Sequence, residues 1–343
     1  MTLSRKSRIV VAGAGSVGCY LGGCLAAAGR DVTLLLRQRL VEVIARSGLQ
    51  VTDLDGSSRS VPPSALPLAT DSSTALQGAD LILVTVKCGA TAEMGKLIAQ
   101  HAPEKIVVVS LQNGIGNVRV LAEALGPARN VVAGMVPFNV VQTLGGDAAP
   151  KFQRASSGTI CIGTGVPGLR DMLDVAGAPV TENPKIEGVL WGKLLINLNN
   201  ALNALSDLPL AAELADRRWR ILLSDQMREG LAALKAAGIK PGRVEGVHPR
   251  LIAFALRFPD RLFRLLARPM LAVSPDARSS MWEDLEAGRR TEIDYIQGEV
   301  VRIAARVGRS ALVTERVMRL MKDAERVGRG SPGLRPAAVQ GGD

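Results

Sequence analysis

Histidine is nearly missing from this chain of 343 residues, which has two, His101 and His248. Each stands one or two residues before a proline (Pro103, Pro249), in a setting that reads as loop. Acid–base chemistry is therefore expected to run on another side chain, and no metal site is expected. Cysteine is sparse as well. Cys19, Cys24, Cys88 and Cys161 show no C-x-x-C spacing and no disulfide density, which fits a reducing cytoplasm. Aromatic residues make up 3%, and no nucleic-acid-binding motif appears. The net charge of +10 thus reads as a dispersed basic surface that attracts small anions, with no nucleic acid as partner. No apolar run approaches the ~18 residues of a membrane span, so no membrane partner is expected either. The basic start, Met1 to Arg8, leads straight into a strand pattern and does not read as a signal peptide. No internal repeat is visible.

What is present is an ordinary globular composition, 47% hydrophobic and 22% charged, long enough for two domains with a core each. The segment Arg8-Ile-Val-Val-Ala-Gly-Ala-Gly-Ser-Val-Gly18 places a short buried strand, Ile9 to Ala12, before three glycines. Cys19 to Ala28 continues at helical spacing. Gly13, Gly15 and Gly18 fit G-x-G-x-x-G: the first turns the chain, the second admits a pyrophosphate against the backbone, and the third lets helix and strand pack closely. The pyrophosphate would rest on free N–H groups at the helix start, with Gly13, Gly15, Ser16, Val17 and Gly18 as contacts. A flexible glycine loop is the plain alternative, and the flanking strand, helix and next strand (Gly29 to Leu36) argue against it.

That next strand selects the dinucleotide. An NAD site usually places Asp or Glu at its tip to accept from the ribose 2′-hydroxyl. Here the tip reads Leu36-Arg37-Gln38-Arg39, and Asp31 precedes the strand at its far end. A guanidinium suits a 2′-phosphate, so NADP(H) is the expected cofactor, with Arg37 on that phosphate. A merely solvated arginine is the competing reading.

Strand and helix patterns alternate onward through Asp80 to Val86, Lys105 to Leu111 and Asn130 to Val136, with Thr159 to Gly163 expected as a later edge strand. The fold class is α/β: an N-terminal Rossmann dinucleotide-binding domain over 1–182, followed by a mostly α-helical domain over 183–327. Ile186 to Leu205, Leu222 to Ala237 and Ile293 to Val307 read as long helices. Arg243 to Met270, with Pro249, Pro259 and Pro269, reads as short helices, and 328–343, rich in Gly and Pro, as a disordered tail.

Lysine is scarce too, ten of the 42 Lys and Arg, and two lysines sit in apolar company. Lys87 ends the strand through Val86, at the sheet edge where such folds bind ligands. Lys193 lies in an otherwise apolar helix, with Asn197 and Asn200 at i+4 and i+7. A Lys–Asn–Asn stripe on one face needs water or a ligand, because unsatisfied buried polar groups are costly. Asn113 follows another strand's carboxyl end, where Asn-Gly alone would mark a turn. Thr291, before the last long helical pattern, could be a helix cap.

In order along the chain, Gly13-x-Gly15-x-x-Gly18, Val84-Thr-Val-Lys87, Gln112-Asn-Gly-Ile-Gly116, Trp191-Gly-Lys-Leu-Leu-Ile-Asn197, Ser279-Ser-Met281 and Arg290-Thr-Glu-Ile-Asp-Tyr-Ile-x-Gly298 make the chain resemble the ketopantoate reductase family over nearly its whole length. The resemblance implies NADPH-dependent reduction of a 2-oxo acid, 2-dehydropantoate, to pantoate in pantothenate biosynthesis. It implies Arg37 on the 2′-phosphate, Lys87 and Asn113 near the nicotinamide ribose and substrate, and Lys193 as general acid. Asn197 and Ser280 become substrate ligands, with Asn200 beside them, and Glu292 a catalytic partner of Lys193. Two departures bear on the substrate: Ala201 stands where the family commonly has a second asparagine, and 243–270 is an insertion. The alternatives are a related NADP-dependent hydroxyacid or opine-type dehydrogenase, and a non-catalytic NADP-binding sensor. A homodimer in the cytoplasm is the expected form.

Overall fold

Short β-branched runs dictate the first half of the molecule. The computed structural model describes residues 2–144, 148–244, 246–266 and 276–341, and it divides into two compact units, 1–186 and 187–343. In the first unit, strands β1 (Ile9–Ala12), β2 (Val32–Leu35), β3 (Leu49–Thr52), β4 (Ser58–Val61), β5 (Leu68–Ala69), β6 (Leu81–Val84), β7 (Val107–Ser110), β8 (Asn130–Met135), β9 (Val140–Thr143), β10 (Lys151–Arg154), β11 (Ile160–Ile162) and β12 (Val180–Glu182) follow in chain order. The main sheet has the order β12-β11-β8-β7-β6-β1-β2-β5. Its part from β5 to β8 is parallel and reproduces the 3-2-1-4-5-6 order of a dinucleotide fold, which reverses direction at β1 and β6.

Alternation explains why β1 and β6 are apolar at every position. Ile9, Val11, Leu81 and Leu83 pack on one face with Tyr20, Leu21 and Leu25 of the helix Ser16–Ala27. Val10, Ala12, Ile82 and Val84 pack on the other with Ile98 and Leu121, from the helices Thr91–His101 and Asn117–Leu125. Burial on both faces removes the polar half of the usual strand pattern.

The structure corrects the expectations for the sheet edge and the tail. Thr159 to Gly163 is no edge: β11 lies between β8, to which it is antiparallel, and β12, which continues the sheet. A three-residue strand such as Val180–Glu182 leaves too short a periodic signal to be read. Nor is the second sheet, β4-β3-β10-β9, visible in the pattern, since its strands carry polar residues such as Gln50, Ser58 and Gln153. The other correction is the tail. Ser331 Oγ donates to the carbonyl of Ala204 at 2.6 Å and Leu334 N to that of Leu205 at 2.7 Å, filling acceptors that the end of the helix Asn199–Ser206 leaves open. Pro336 and Val339 are then buried in the short helix Pro336–Gln340. Gly-Pro composition predicts disorder only when no such partners exist.

The second unit is built of helices. The stretch read as Ile186 to Leu205 is two, Ile186–Asn197 and Asn199–Ser206, interrupted at Leu198. There the buried Gln297 of the helix Ile293–Arg306 donates to the Leu198 carbonyl at 2.9 Å. The insertion forms the short helices Pro249–Ala255 and Asp260–Leu266. One fully buried guanidinium ties them down. Arg220 donates to the carbonyls of Leu214 (2.9 Å), Ala215 (3.0 Å), Leu256 (3.2 Å) and Phe258 (2.9 Å) and to Asp260 Oδ1 (2.8 Å). It also stacks over the Phe263 ring at 4.2 Å. A single side chain thus fills open acceptors at the ends of two helices and pins the start of a third. The rest of the insertion, 267–270, lies outside the described residues.

Candidate active site

The carboxyl ends of β1, β2, β6 and β7 gather one set of predicted residues. Gly13 sits just past β1 with φ +83°, and a Cβ there would run into Val86, so only glycine turns the chain at this point. A Cβ on Gly18 would lie 2.5 Å from Thr85 Oγ1 and 3.1 Å from Val11 Cγ1; its absence sets the helix close to the sheet. Gly15 differs, for a Cβ there would meet nothing within 4 Å. Its bareness serves an approach from outside the protein. Gly15 is also the N-cap of the helix Ser16–Ala27, with no side-chain cap and no acidic residue in the first turn. The N–H groups of Ser16, Val17 and Gly18 are left for an anion.

Arg37 follows β2 as an exposed residue, at the opposite strand end from Asp31. Lys87 is exposed just past β6 and precedes a short 3₁₀ turn, Cys88–Ala90. Asn113 is half-buried beyond β7, and Gly114 takes φ +81° in the turn after it. The predicted cofactor residues of this unit therefore share one sheet edge, at the point where strand order reverses.

The second unit holds the other set. Lys193 and Asn197 are half-buried while Trp191, Gly192, Leu194 and Leu195 are buried, so the two polar side chains mark the accessible stripe of this helix. Asn200 is half-buried past the Leu198 break, and its carbonyl accepts from Ser279 Oγ at 2.8 Å. Ser279 is the buried N-cap of the helix Ser280–Glu286, accepting from Trp282 N at 3.2 Å. Of the two adjacent serines, Ser279 is consumed by structure and Ser280 is exposed. Glu292 is buried at the start of the helix Ile293–Arg306. Its neighbour Thr291 accepts from Ile293 N at 3.2 Å and donates its hydroxyl to Glu325 at 2.6 Å, which fixes the approach to Glu292.

Matches to known proteins follow this geometry. The model of the family described as Ketopantoate reductase PanE/ApbA covers residues 9–165, and that of its C-terminal region covers 185–325. The chain belongs to the ketopantoate reductase family. The 2-dehydropantoate 2-reductase of Halobacterium salinarum is 31% identical over 303 residues, covering 86% of this chain and 91% of the relative. A solved PanE/ApbA family ketopantoate reductase from Ralstonia eutropha is 29% identical, with a TM-score of 0.78 and coverage of 94% and 99%. D-mandelate dehydrogenase, solved with NADH and anilino(oxo)acetate, has a TM-score of 0.76 at 21% identity, covering 94% and 99%; that likeness is one of fold. As a ketopantoate reductase family member the protein is an oxidoreductase acting on CH–OH groups, with a nicotinamide dinucleotide as its class of cofactor. No helix among the described residues is long and apolar enough to cross a membrane.

Several residues of this family member were not singled out from the sequence. Asn203, fully buried, uses its whole amide: Nδ2 donates to the Leu208 carbonyl and to Glu213 Oε2, both at 2.8 Å, and Oδ1 accepts from Ser279 N at 2.8 Å. Glu213 is itself fully buried, and loss of hydration pushes its carboxyl up to about 8 against the lowering effect of Asn203 and Asn199. Ala201 is wholly buried, so at the family's second asparagine position a ligand can reach only Asn200 beside it. A Glu-Leu pair in an Ala-rich segment carries no periodic signal that would have exposed this polar cluster.

Proposed function

We propose that this protein reduces the 2-oxo acid 2-dehydropantoate to the 2-hydroxy acid pantoate with NADPH. The observation that carries the reading is Lys193, a half-buried amine one turn before half-buried Asn197 on a helix that buries Trp191, Gly192, Leu194 and Leu195. An NADP(H) fit is supported by the open space at Gly15, the uncapped helix start and exposed Arg37 with no carboxylate at the same strand tip. Bound NADPH supplies the hydride. Gly13, Gly15, Ser16, Val17 and Gly18 hold the pyrophosphate, Arg37 pairs with the 2′-phosphate, and Lys87 and Asn113 orient ribose and substrate. Asn197, Asn200 and Ser280 bind the 2-oxo acid. Lys193 holds a proton on Nζ and passes it to the carbonyl oxygen as the keto group becomes an alcohol, and Glu292 keeps that amine and the substrate oriented.

The deciding experiment follows NADPH oxidation across a panel of 2-oxo acids, with 2-dehydropantoate expected to be turned over best. Tight NADPH binding with no turnover of any member would instead support the sensor. We further infer a cytoplasmic homodimer. Support comes from the buried thiols of Cys19, Cys24 and Cys161 and from Leu251, Phe254, Leu262 and Leu265, large apolar side chains exposed on the two insertion helices; light scattering tests it.

A further inference from the structure

The loops that carry Lys87 and Asn113 lie beyond the strand ladder, because β6 ends at Val84 and β7 at Ser110. A cluster of buried side chains joins them. Gln112 Nε2 donates to the Val86 carbonyl at 3.0 Å and to Thr91 Oγ1 at 2.6 Å, and its Oε1 accepts from Ser110 Oγ at 3.0 Å. Thr91 Oγ1 lies 2.8 Å from both the Cys88 carbonyl and Asn117 Oδ1, to either of which it can donate its one proton. Asn117 Nδ2 donates to the Asn113 carbonyl at 2.5 Å, an oxygen that also accepts from Cys88 Sγ at 2.9 Å. Thr91, Gln112, Asn117 and Cys88 are all buried. Each grips backbone at, or next to, one of the two loops.

We propose that Thr91 and Asn117 are positioning residues that hold Lys87 and Asn113 at a fixed separation. The proposal rests on the reading that Lys87 and Asn113 face cofactor and substrate. The physical basis is the cost of misplacement: about 1 Å of drift in a reacting group can cost on the order of a hundredfold in rate. Thr91 is the hub, since its hydroxyl accepts from Gln112 of the Asn113 loop and can donate to the Cys88 carbonyl of the Lys87 loop. Replacement by the isosteric valine keeps the volume and removes the hydroxyl, leaving Gln112 one acceptor short and whichever of Asn117 and the Cys88 carbonyl took its proton one donor short.

The test uses the full-length enzyme with 2-dehydropantoate and NADPH. Thr91→Val is expected to lower kcat by about tenfold to a hundredfold, while Thr91→Ser, which restores the hydroxyl, stays close to wild type. Affinity for adenosine 2′,5′-bisphosphate, a probe that reaches only the Arg37 end, should not change. Combining Thr91→Val with Lys87→Ala should lower kcat by less than the product of the two single effects, because part of the Thr91→Val loss acts through Lys87. Asn117→Ala should repeat the pattern and serves if Thr91→Val does not fold. Wild-type kcat in folded Thr91→Val, or full additivity with Lys87→Ala, overturns the proposal. Wild-type kcat in Lys87→Ala alone overturns the underlying site reading and the proposal with it.

Discussion

Arg220 offers the most direct test of how the second unit is held. Arg220→Met keeps an apolar stem but removes the guanidinium over Phe263 and with it the donors to four carbonyls and Asp260. Each buried acceptor left unpaired costs about 1–3 kcal/mol, and some of the four will recover water as the helix ends relax. Asp260 is half-exposed and stays hydrated once unpaired, so the carbonyls carry the loss, which together can reach about 3–5 kcal/mol. We expect a loss in that range, a large part of the ~5–15 kcal/mol that holds a folded domain together. The assay is favourable, because Trp191, Trp219 and Trp282 all lie in the unit 187–343. Urea unfolding followed by tryptophan fluorescence therefore reports on that unit alone. Arg218→Ala is the control: its pair with Asp216 is on the surface, and no measurable change is expected. A loss below about 1 kcal/mol for Arg220→Met, with an unchanged denaturant slope, would refute the view that this guanidinium clamps the helix ends.

Arg37→Ala should weaken NADPH binding by roughly 1.5–3 kcal/mol, the worth of a charge-assisted phosphate contact, and leave NADH binding nearly untouched; equal losses in a fluorescence titration would remove Arg37 from the 2′-phosphate. Lys193→Ala should reduce kcat by roughly 10²–10⁴ while NADPH still binds. Near-wild-type turnover would shift the donor elsewhere. Glu213 yields a stability prediction. Its carboxyl, raised to about 8, keeps a proton in the folded state that the unfolded chain has released. The native state is thus favoured at low pH, and that contribution is lost as pH rises from the unfolded value to about 8, at up to ~1.4 kcal/mol per pH unit. Glu213→Gln should flatten the dependence of Tm over this window, and an unchanged profile would show that the buried carboxyl is not what titrates.

The dinucleotide half was legible because its constraints are local. Three glycines at fixed offsets, a strand apolar at every position and an arginine at a strand tip are properties of neighbouring residues, and periodicity reads neighbours. The Lys193–Asn197 stripe was legible for the same reason, since helical spacing alone puts the two on one face. Tertiary structure decided what depends on distant partners. Whether Ser279 or Ser280 stayed accessible turned on the carbonyl of Asn200, some eighty residues earlier in the chain. The ordering of 328–341 turned on open carbonyls at Ala204 and Leu205, and the burial of a charged Arg220 on helix ends brought to it from both directions. The Thr91–Gln112–Asn117 cluster exists because β6 and β7 are neighbours, which no local pattern states. Hydrogen bonds of this kind link residues by proximity in space, and sequence separation carries no record of it.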